Sequence, residues 1–259
     1  MSKPEIREVN VIRYVLPLRE GGSLPAIVDA DDDFPYVIKF RGAGQGKKAL
    51  IAELIGGELA RAMGLKVPEI VFMELDDSFS KTEPDEEIQD LLRFSVGLNL
   101  GLHYLSGAIT FDPLVSEVDG LSASKVILLD ALITNIDRTH RNTNMLIWNK
   151  ELWLIDHGAA LYFHHSWNNW QEHAQRGFAA VKDHVMLGFA DSLEQAEEEI
   201  KKSVSKQLIS DIISVIPQEW LEDKADPLDH TEKRDAYVEF LSTRLDNISN
   251  LRKEAEDAR

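Results

Sequence analysis

The sequence contains no cysteine, which excludes disulfides and thiolate metal sites. Because proteins without disulfides are typical of reducing compartments, we predict a cytoplasmic location. No apolar run reaches the about 18 residues that a membrane-spanning helix needs. The first residues, MSKPEIREVN, lack the apolar centre of a signal peptide. We therefore expect neither a membrane span nor a signal peptide.

Positive charge is also scarce. The chain has 28 Lys and Arg residues against 45 Asp and Glu residues, a formal net charge of -17. Binding to nucleic acid requires a basic stripe, and no stripe in the sequence stands clear of acidic neighbours. We therefore predict no direct binding to nucleic acid. A phosphate-bearing ligand would be held locally, by a few Lys or Arg side chains, backbone N–H groups and a divalent metal.

What the sequence does contain is an ordinary globular composition, with 44% hydrophobic residues in a chain of 259. Turns separate the short alternating segments VIRYVLPL, LPAIVDA and YVIKF, a pattern that predicts an antiparallel meander. The following KKALIAELIGGELARAMGL has helical spacing. Its Gly56 and Gly57 each cost a helix about 1 kcal/mol relative to alanine, which favours close packing there. A further strand, KVPEIVFMEL, is predicted next.

Later segments complete the expected fold. The acidic DDSFSKTEPDEE is expected to be a solvated loop or a helix start, and RFSVGLNLGLHYLSG an extended connector. Beyond Ser122 the pattern is helical, apart from the predicted hairpin MLIWNKELWLID, which turns at Asn149–Lys150. The expected fold class is α+β in two lobes. Residues 1–100 would form a small antiparallel sheet with one helix, and residues 101–259 a larger, mainly helical lobe.

Asp137 and Asn142 form a D-x-x-x-x-N pattern directly after the apolar segment KVILLDALITN. Protein kinases use this spacing for the aspartate that accepts the proton of the attacking hydroxyl and for the asparagine that binds a metal ion. The alternative is a helix-ending turn in which both side chains cap backbone groups. Arg138 is expected to anchor the loop to nearby carboxylates.

Asp156 ends the strand LWLI and precedes His157 and Gly158, in the position of the D-F-G element of kinases. A carboxylate before a glycine suits metal binding, so we predict that Asn142 and Asp156 together hold Mg²⁺ between phosphate oxygens. His157 replaces the usual phenylalanine. For this residue we expect packing with a hydrogen bond and no acid–base role.

Lys39 lies within the apolar strand YVIKF, where a charge is costly unless it is paired or used. The strand resembles the V-A-I-K strand of kinases, whose lysine binds the α- and β-phosphates of ATP. The alternative is a side chain that extends from the strand end into solvent. Glu53, in the following helix, is the candidate partner of Lys39, and Glu58 is its rival.

A glycine-containing turn, REGGSLP, precedes these residues. Gly21 and Gly22, with Ser23, could cradle phosphates through backbone N–H groups. The order of parts is then glycine turn, strand lysine, helix glutamate, D-x-x-x-x-N loop and strand-end aspartate, which is the order in kinases. Five parts in this order are much harder to obtain by chance than any one of them.

The stretches IDRTHRNTN and LIDHG resemble the N-x-D-R-x-x-x-N and (I/Y)D-x-(G/L) elements of HipA-like kinases, a bacterial Ser/Thr kinase group. EGGSLPAIVDADDDFPYVIKF and GAGQGKKALIAELIGGELARAMGLKVPEI are also similar to the stand-alone kinase-domain members of that family. The resemblance extends over most of Arg13 to Tyr162. The same D-R-x-x-x-N and IDxG shapes occur in phosphatidylinositol 3- and 4-kinases, so these elements do not fix the acceptor.

The resemblance implies a protein-kinase-like fold and an ATP- and Mg²⁺-dependent kinase. Asp137 would be the catalytic base, Asn142 and Asp156 the Mg²⁺ ligands, and Lys39, paired with Glu53, would hold the ATP phosphates beneath the Gly21–Ser23 turn. Adenine would lie against the connector at residues 96–104, so that residues 1–100 form the nucleotide-binding lobe and residues 101–259 the catalytic lobe. The implied acceptor is a Ser or Thr of a protein. A small-molecule or lipid kinase and a non-catalytic nucleotide-binding scaffold remain as alternatives, and no antitoxin-like partner is identified.

Overall fold

The computed structural model describes residues 3–18, 24–223 and 226–259. Five strands of the first part form a closed barrel in the order β1-β2-β3-β5-β4. Their bounds are Arg7–Pro17 (β1), Ala26–Ala30 (β2), Pro35–Lys39 (β3), Ile70–Leu75 (β4) and Gly97–His103 (β5). Buried and partly exposed residues alternate along β2 and β3, as the period of a half-buried strand requires.

The expected antiparallel meander is confirmed for β1, β2 and β3, but the sheet as a whole is not antiparallel, because it closes into a barrel through β5 and β4. All neighbouring strands are antiparallel except β1 and β4, which pair in parallel from Arg7 with Val71 to Asn10 with Glu74. The physical reason is the length of β1, whose first residues pair with β4 and whose later residues pair with β2. Register shifts at Val11/Arg13 and Tyr14/Leu16 bend the strand between these partners.

The described residues of this part of the chain form three helices, so the expectation of one is wrong. They are Lys47–Ala62 (α1), Ser78–Thr82 (α2) and Glu86–Phe94 (α3). The acidic stretch forms α2 and α3 because the Asp85 side chain accepts the backbone N–H groups of Glu87 and Ile88 and so caps α3. The predicted connector also contains a barrel strand, β5, and the chain leaves the barrel only after His103.

The paired glycines of α1 mark two close approaches. A Cβ atom on Gly56 would lie 2.7 Å from Cβ of His157, and one on Gly57 would lie 2.5 Å from Cδ1 of Ile70. A larger residue at Gly56 would press on the Cβ and ring of His157, whereas at Gly57 the end of the Ile70 side chain would have to move. The glycines lower the intrinsic stability of the helix, but Gly56 allows it to pack closely against the segment after Asp156.

The second part is mainly helical. A small antiparallel sheet consists of Ile109–Thr110 (β6), Met145–Trp148 (β7) and Glu151–Leu154 (β8), and the positive φ angles of Asn149 and Lys150 make the predicted hairpin turn. The helices are Gly120–Ile133 (α4), Trp170–Gln175 (α5), Leu193–Ser203 (α6), Lys206–Ser214 (α7), Gln218–Leu221 (α8), His230–Asp246 (α9) and Ile248–Ala258 (α10). Among the described residues, none of these helices has the length and apolarity to cross a bilayer.

Two hydrophobic clusters hold the chain together. One fills the barrel and includes Val28, Ile38 and Met73. The other is larger and joins α1, through residues such as Ile51 and Leu54, to the helices of the second part. Because α1 belongs to the larger cluster, it packs against the helical part of the chain. The same helix carries Glu53, one of the predicted site residues.

Candidate active site

Lys39, at the end of β3, joins two distant carboxylates. Its Nζ lies 2.7 Å from Oε2 of Glu53 on α1 and 2.6 Å from Oδ1 of Asp156, which follows β8. Lys39 and Asp156 are 117 residues apart in sequence. The Glu53 side chain is fully buried, whereas that of Asp156 is 48% exposed. Lys39 therefore connects the buried carboxylate of Glu53 to the solvent-accessible carboxylate of Asp156.

The charges of this cluster reinforce one another. Burial favours the neutral form of Lys39, but the charges of Glu53 and Asp156 outweigh it and raise the pKa of the ammonium group. Burial likewise favours the neutral form of Glu53, and Lys39 with the His157 hydrogen bond outweighs it and lowers the pKa of that carboxyl. Both groups are therefore charged at neutral pH.

The geometry also distinguishes Glu53 from Glu58. Besides Lys39, Glu53 accepts the backbone N–H of His157 at 2.7 Å and lies 3.4 Å from Nδ1 of its ring. Glu58 pairs instead with Arg61, at 3.2 Å. His157 is fully buried and packs against Gly56, which agrees with a packing role.

The backbone of Asp156 has a φ of 56°, in the left-handed region. That conformation costs a non-glycine residue roughly 1–2 kcal/mol, least for Asp and Asn. It persists here because Lys39 binds the Asp156 carboxylate while Glu53 binds the next N–H group. Strain held by surrounding contacts is typical of functional positions.

Asp137 faces Asn142 and Asn144. Oδ2 of Asp137 accepts Nδ2 of Asn142 at 2.7 Å and Nδ2 of Asn144 at 3.2 Å. The Asn144 amide also lies 3.5 Å from the backbone oxygen of Asp156 and thus links the two acidic segments. Sequence reasoning missed Asn144, although the repeated asparagine of N-T-N was a visible signal.

A buried network beneath the loop fixes both segments. Nε of Arg138 donates to Oδ2 of Asp130 at 2.6 Å, and its Nη1 donates to the backbone oxygens of Asn144 and Ile155. Arg138 therefore anchors the loop, as the sequence predicts, and it also holds the strand that leads to Asp156. Burial opposes ionisation of Asp130, but Arg138 outweighs it and lowers the pKa of the carboxyl.

Asp130 has a second partner that sequence reasoning missed. Nε2 of His184 lies 2.9 Å from Oδ2 of Asp130, and Nδ1 of His184 accepts the N–H of Met186 at 3.0 Å. Since Nδ1 is an acceptor, Nε2 carries the proton and donates a hydrogen bond to Asp130. In addition, Asn135 donates to Asp130 at 3.1 Å and accepts the N–H of Asp137 at 3.2 Å. The catalytic-loop candidates therefore rest on one buried carboxylate.

Three predicted residues, Gly21, Gly22 and Ser23, lie outside the described residues. The others converge. Lys39, Glu53 and Asp156 form one cluster, and Asn144 joins it to Asp137 and Asn142.

Asn142 and Asp156 offer oxygen donors of the kind that a hard divalent cation takes. The Asn142 amide donates through nitrogen to Asp137, which leaves its oxygen for another partner, and the exposed Asp156 carboxylate has a second oxygen besides the one on Lys39. One carboxylate with an amide oxygen and ligand phosphates is a donor set typical of Mg²⁺. The residues present therefore fit such an ion.

The fold is similar to those of solved kinase structures. The proinflammatory kinase CtkA of Helicobacter pylori matches with a TM-score of 0.54 and 13% identity, over 96% of this chain and 98% of that one. A Golgi casein kinase matches with 15% identity and a TM-score of 0.51, over 98% of this chain and 74% of that one. The Golgi casein kinase with Mn/ADP bound matches with 12% identity and a TM-score of 0.50, over 99% and 74%. At these identities the likeness defines the class of fold, which is protein-kinase-like.

The family follows from the sequence. The profile of the HipA-like kinase family matches residues 10–252, so the chain belongs to that family. A search among curated proteins found no match.

Proposed function

We propose that this chain is an ATP- and Mg²⁺-dependent phosphotransferase in which Asp137 accepts the proton of the acceptor hydroxyl. The observation that carries the proposal is the position of Lys39 Nζ, 2.7 Å from Glu53 and 2.6 Å from Asp156. Asn144 joins Asp156 to Asp137, so the phosphate-binding and proton-accepting candidates lie in one place. Membership of a kinase family supports the same chemistry.

Lys39 would bind the ATP phosphates. Its raised pKa keeps it charged at neutral pH, and its bond to buried Glu53 holds the ammonium group in one position before the nucleotide arrives. Such prior positioning is the main contribution of the protein to phosphoryl transfer.

Asp137 would act through Oδ1. Both asparagine amides bind Oδ2, which leaves Oδ1 to take the hydroxyl proton. As the proton moves to Asp137, the acceptor oxygen forms a bond to the γ-phosphorus, and the bond from that phosphorus to the β-phosphate oxygen breaks. ADP leaves with the electron pair.

Asn142 and Asp156 would hold Mg²⁺. Without a metal ion, the carboxylates of Asp137 and Asp156 would repel the anionic phosphates. Lys39 cannot offset this repulsion alone, because its single positive charge is shared between Glu53 and Asp156. When bound, Mg²⁺ supplies neutralisation of the charge that develops on the phosphate oxygens. A Golgi casein kinase of similar fold was crystallised with Mn/ADP, which supports a nucleotide with a divalent cation.

We propose a nucleotide-binding lobe and a catalytic lobe, predicted at residues 1–100 and 101–259, and we move the division to His103 because β5 belongs to the barrel up to that residue. Adenine would lie near the exit of β5. The proposed acceptor is a Ser or Thr hydroxyl of a protein, on the strength of the family. The assay is incubation of the protein with labelled ATP and Mg²⁺, alone and with cell lysate. Label on protein supports this acceptor, and label on a small molecule or lipid would replace it. Nucleotide binding without any transfer would contradict the proposed activity.

A further inference from the structure

The short helix α8 and the residues after it contact β4, β5, the end of β3 and the start of α1, the helix that carries the Lys39 partner Glu53. We define the α8 segment as residues 218–223. Its Trp220 is buried, donates Nε1–H to the backbone oxygen of Leu98 on β5 at 3.0 Å, and stands edge-on to Phe72 of β4 with ring centroids 5.4 Å apart. One indole thus joins two neighbouring barrel strands to the helical part of the chain.

Glu219 contacts the residues around the end of β3 and the start of α1. Its carboxylate lies 2.6 Å from Nη1 of Arg41, which is two residues beyond Lys39, and its backbone oxygen accepts Nζ of Lys47 at 2.6 Å. Lys47 is the first residue of α1, the helix that carries Glu53. Glu219 therefore connects the end of β3 to the start of α1.

The start of α1 depends on these contacts. Gly46 provides no side-chain cap, the first turn has no acidic residue, and its first two residues are both lysines. Cations at a helix N-terminus oppose the helix dipole, so the helix by itself is unfavourable there. The compensation comes from outside the helix: Lys47 donates to Glu219, and Nζ of Lys48 lies 2.9 Å from Oδ1 of Asp226.

The segment is itself fastened to the helical part. Lys233 on α9 is buried, donates Nζ to the backbone oxygen of Leu221 at 2.7 Å and lies 2.7 Å from Oδ2 of Asp226. Asp226 therefore shares its carboxylate between Lys48 of α1 and Lys233 of α9. Through the α8 segment and Asp226, α9 is therefore linked to the residues that follow β3 and to the start of α1, the elements that carry Lys39 and Glu53.

We propose that Glu219 and Trp220 are positioning residues, which hold β3, β5 and α1 at the separation that the Lys39–Glu53 ion pair requires. The inference rests on the proposed function of Lys39 as the phosphate-binding group. Glu219 and Trp220 touch neither Lys39 nor Glu53 in the described contacts, so they act through Arg41, Lys47 and the barrel strands.

The test is a double-mutant cycle on nucleotide affinity. Glu219→Gln removes the charge opposite Arg41, and Trp220→Phe removes the bond to Leu98 while an aromatic ring remains. Each variant should bind ATP about tenfold more weakly, in line with the cost of small displacements in a site. Glu239→Gln, on an exposed α9 residue without an ion pair among the described contacts, is the matched control and should bind as wild type.

The second arm of the cycle uses a Glu53→Gln background. There Glu219→Gln and Trp220→Phe should cause no further loss of ATP affinity, because the ion pair that these residues position is already absent. An equal tenfold loss in both backgrounds would show a general effect on the fold and overturn the proposal. Wild-type affinity in both variants would overturn it as well.

Hydrogen exchange separates this proposal from the proposed function. Without nucleotide, the amide groups of residues 51–54 should exchange faster in both α8 variants than in wild type, with α10 unchanged. Unchanged protection of α1 would refute the positioning role even if the enzyme is active. Failure of the wild-type protein to bind ATP would instead refute the function of Lys39.

Discussion

Substitution of the buried carboxylate of Asp130 is expected to lower both the stability and the activity of the protein. In Asp130→Ala, Arg138 would stay buried without its anionic partner, and His184 would lose the acceptor of its Nε2 proton. Breaking a buried ion pair by removal of one member costs about 3–5 kcal/mol. Since 1 kcal/mol shifts the melting temperature of a chain of this size by about 2–4 °C, we expect a fall of roughly 6–20 °C.

The same variant should lose phosphotransfer activity well before it unfolds. Arg138 holds the backbone oxygens of Asn144 and Ile155, and its displacement would move both the loop of Asp137 and the segment of Asp156. Thermal unfolding followed by circular dichroism gives the stability, and labelled-ATP transfer at 20 °C below the melting temperature of the variant gives the activity.

A double substitution tests whether the unpaired charge of Arg138 causes the expected loss of stability. Asp130→Leu with Arg138→Met removes both charges and replaces them with apolar side chains of similar size. It should be more stable than Asp130→Ala, because no unpaired charge is left inside. Asp235→Asn, on an exposed position of α9, should melt as wild type. A loss below about 1 kcal/mol for Asp130→Ala would refute the reasoning, since that is the scale of an exposed ion pair.

Three further predictions concern other parts of the molecule. Asp156→Ala should abolish the Mg²⁺-dependent part of ATP affinity, measured by calorimetry with and without the metal, and unchanged affinity would count against Asp156 as a ligand. Gly56→Ala should destabilise the protein by about 1–3 kcal/mol in urea unfolding, because the new Cβ would lie 2.7 Å from His157; a neutral result would mean that α1 moves freely. Burial lowers the pKa of His164 far below its usual 6.5. As the pH falls below 6.5, this imidazole is therefore protonated in the unfolded chain but stays neutral in the folded chain. The free energy of unfolding should therefore fall by up to about 1.4 kcal/mol per pH unit for this residue, and His164→Gln should flatten the slope.

The sequence predicted those features that local patterns encode. Alternation and helical spacing located β3 with Lys39 and α1 with Glu53, and the Asn149–Lys150 turn located the hairpin. The order of the polar motifs then indicated a kinase, and the family match confirmed that recognition. The roles of individual site residues stay predictions until the variants are measured.

The features that the sequence did not reveal depend on distant partners. Asp130 was visible as one acid within an apolar helix, but its partner His184 lies 54 residues away. The bond between Arg41 and Glu219 spans 178 residues, and no local pattern at either position indicates the other. The parallel pairing of β1 with β4 likewise follows from bulges and barrel closure, which alternation alone does not encode.

The most direct test of the central claim is phosphotransfer by Asp137→Asn. Asparagine has nearly the shape of aspartate but cannot take a proton, so ATP should still bind while transfer falls by a factor on the order of 100 to 10,000. Asp235→Asn serves as the matched control and should transfer as wild type. Full transfer activity in Asp137→Asn would contradict the assignment of Asp137 as the base.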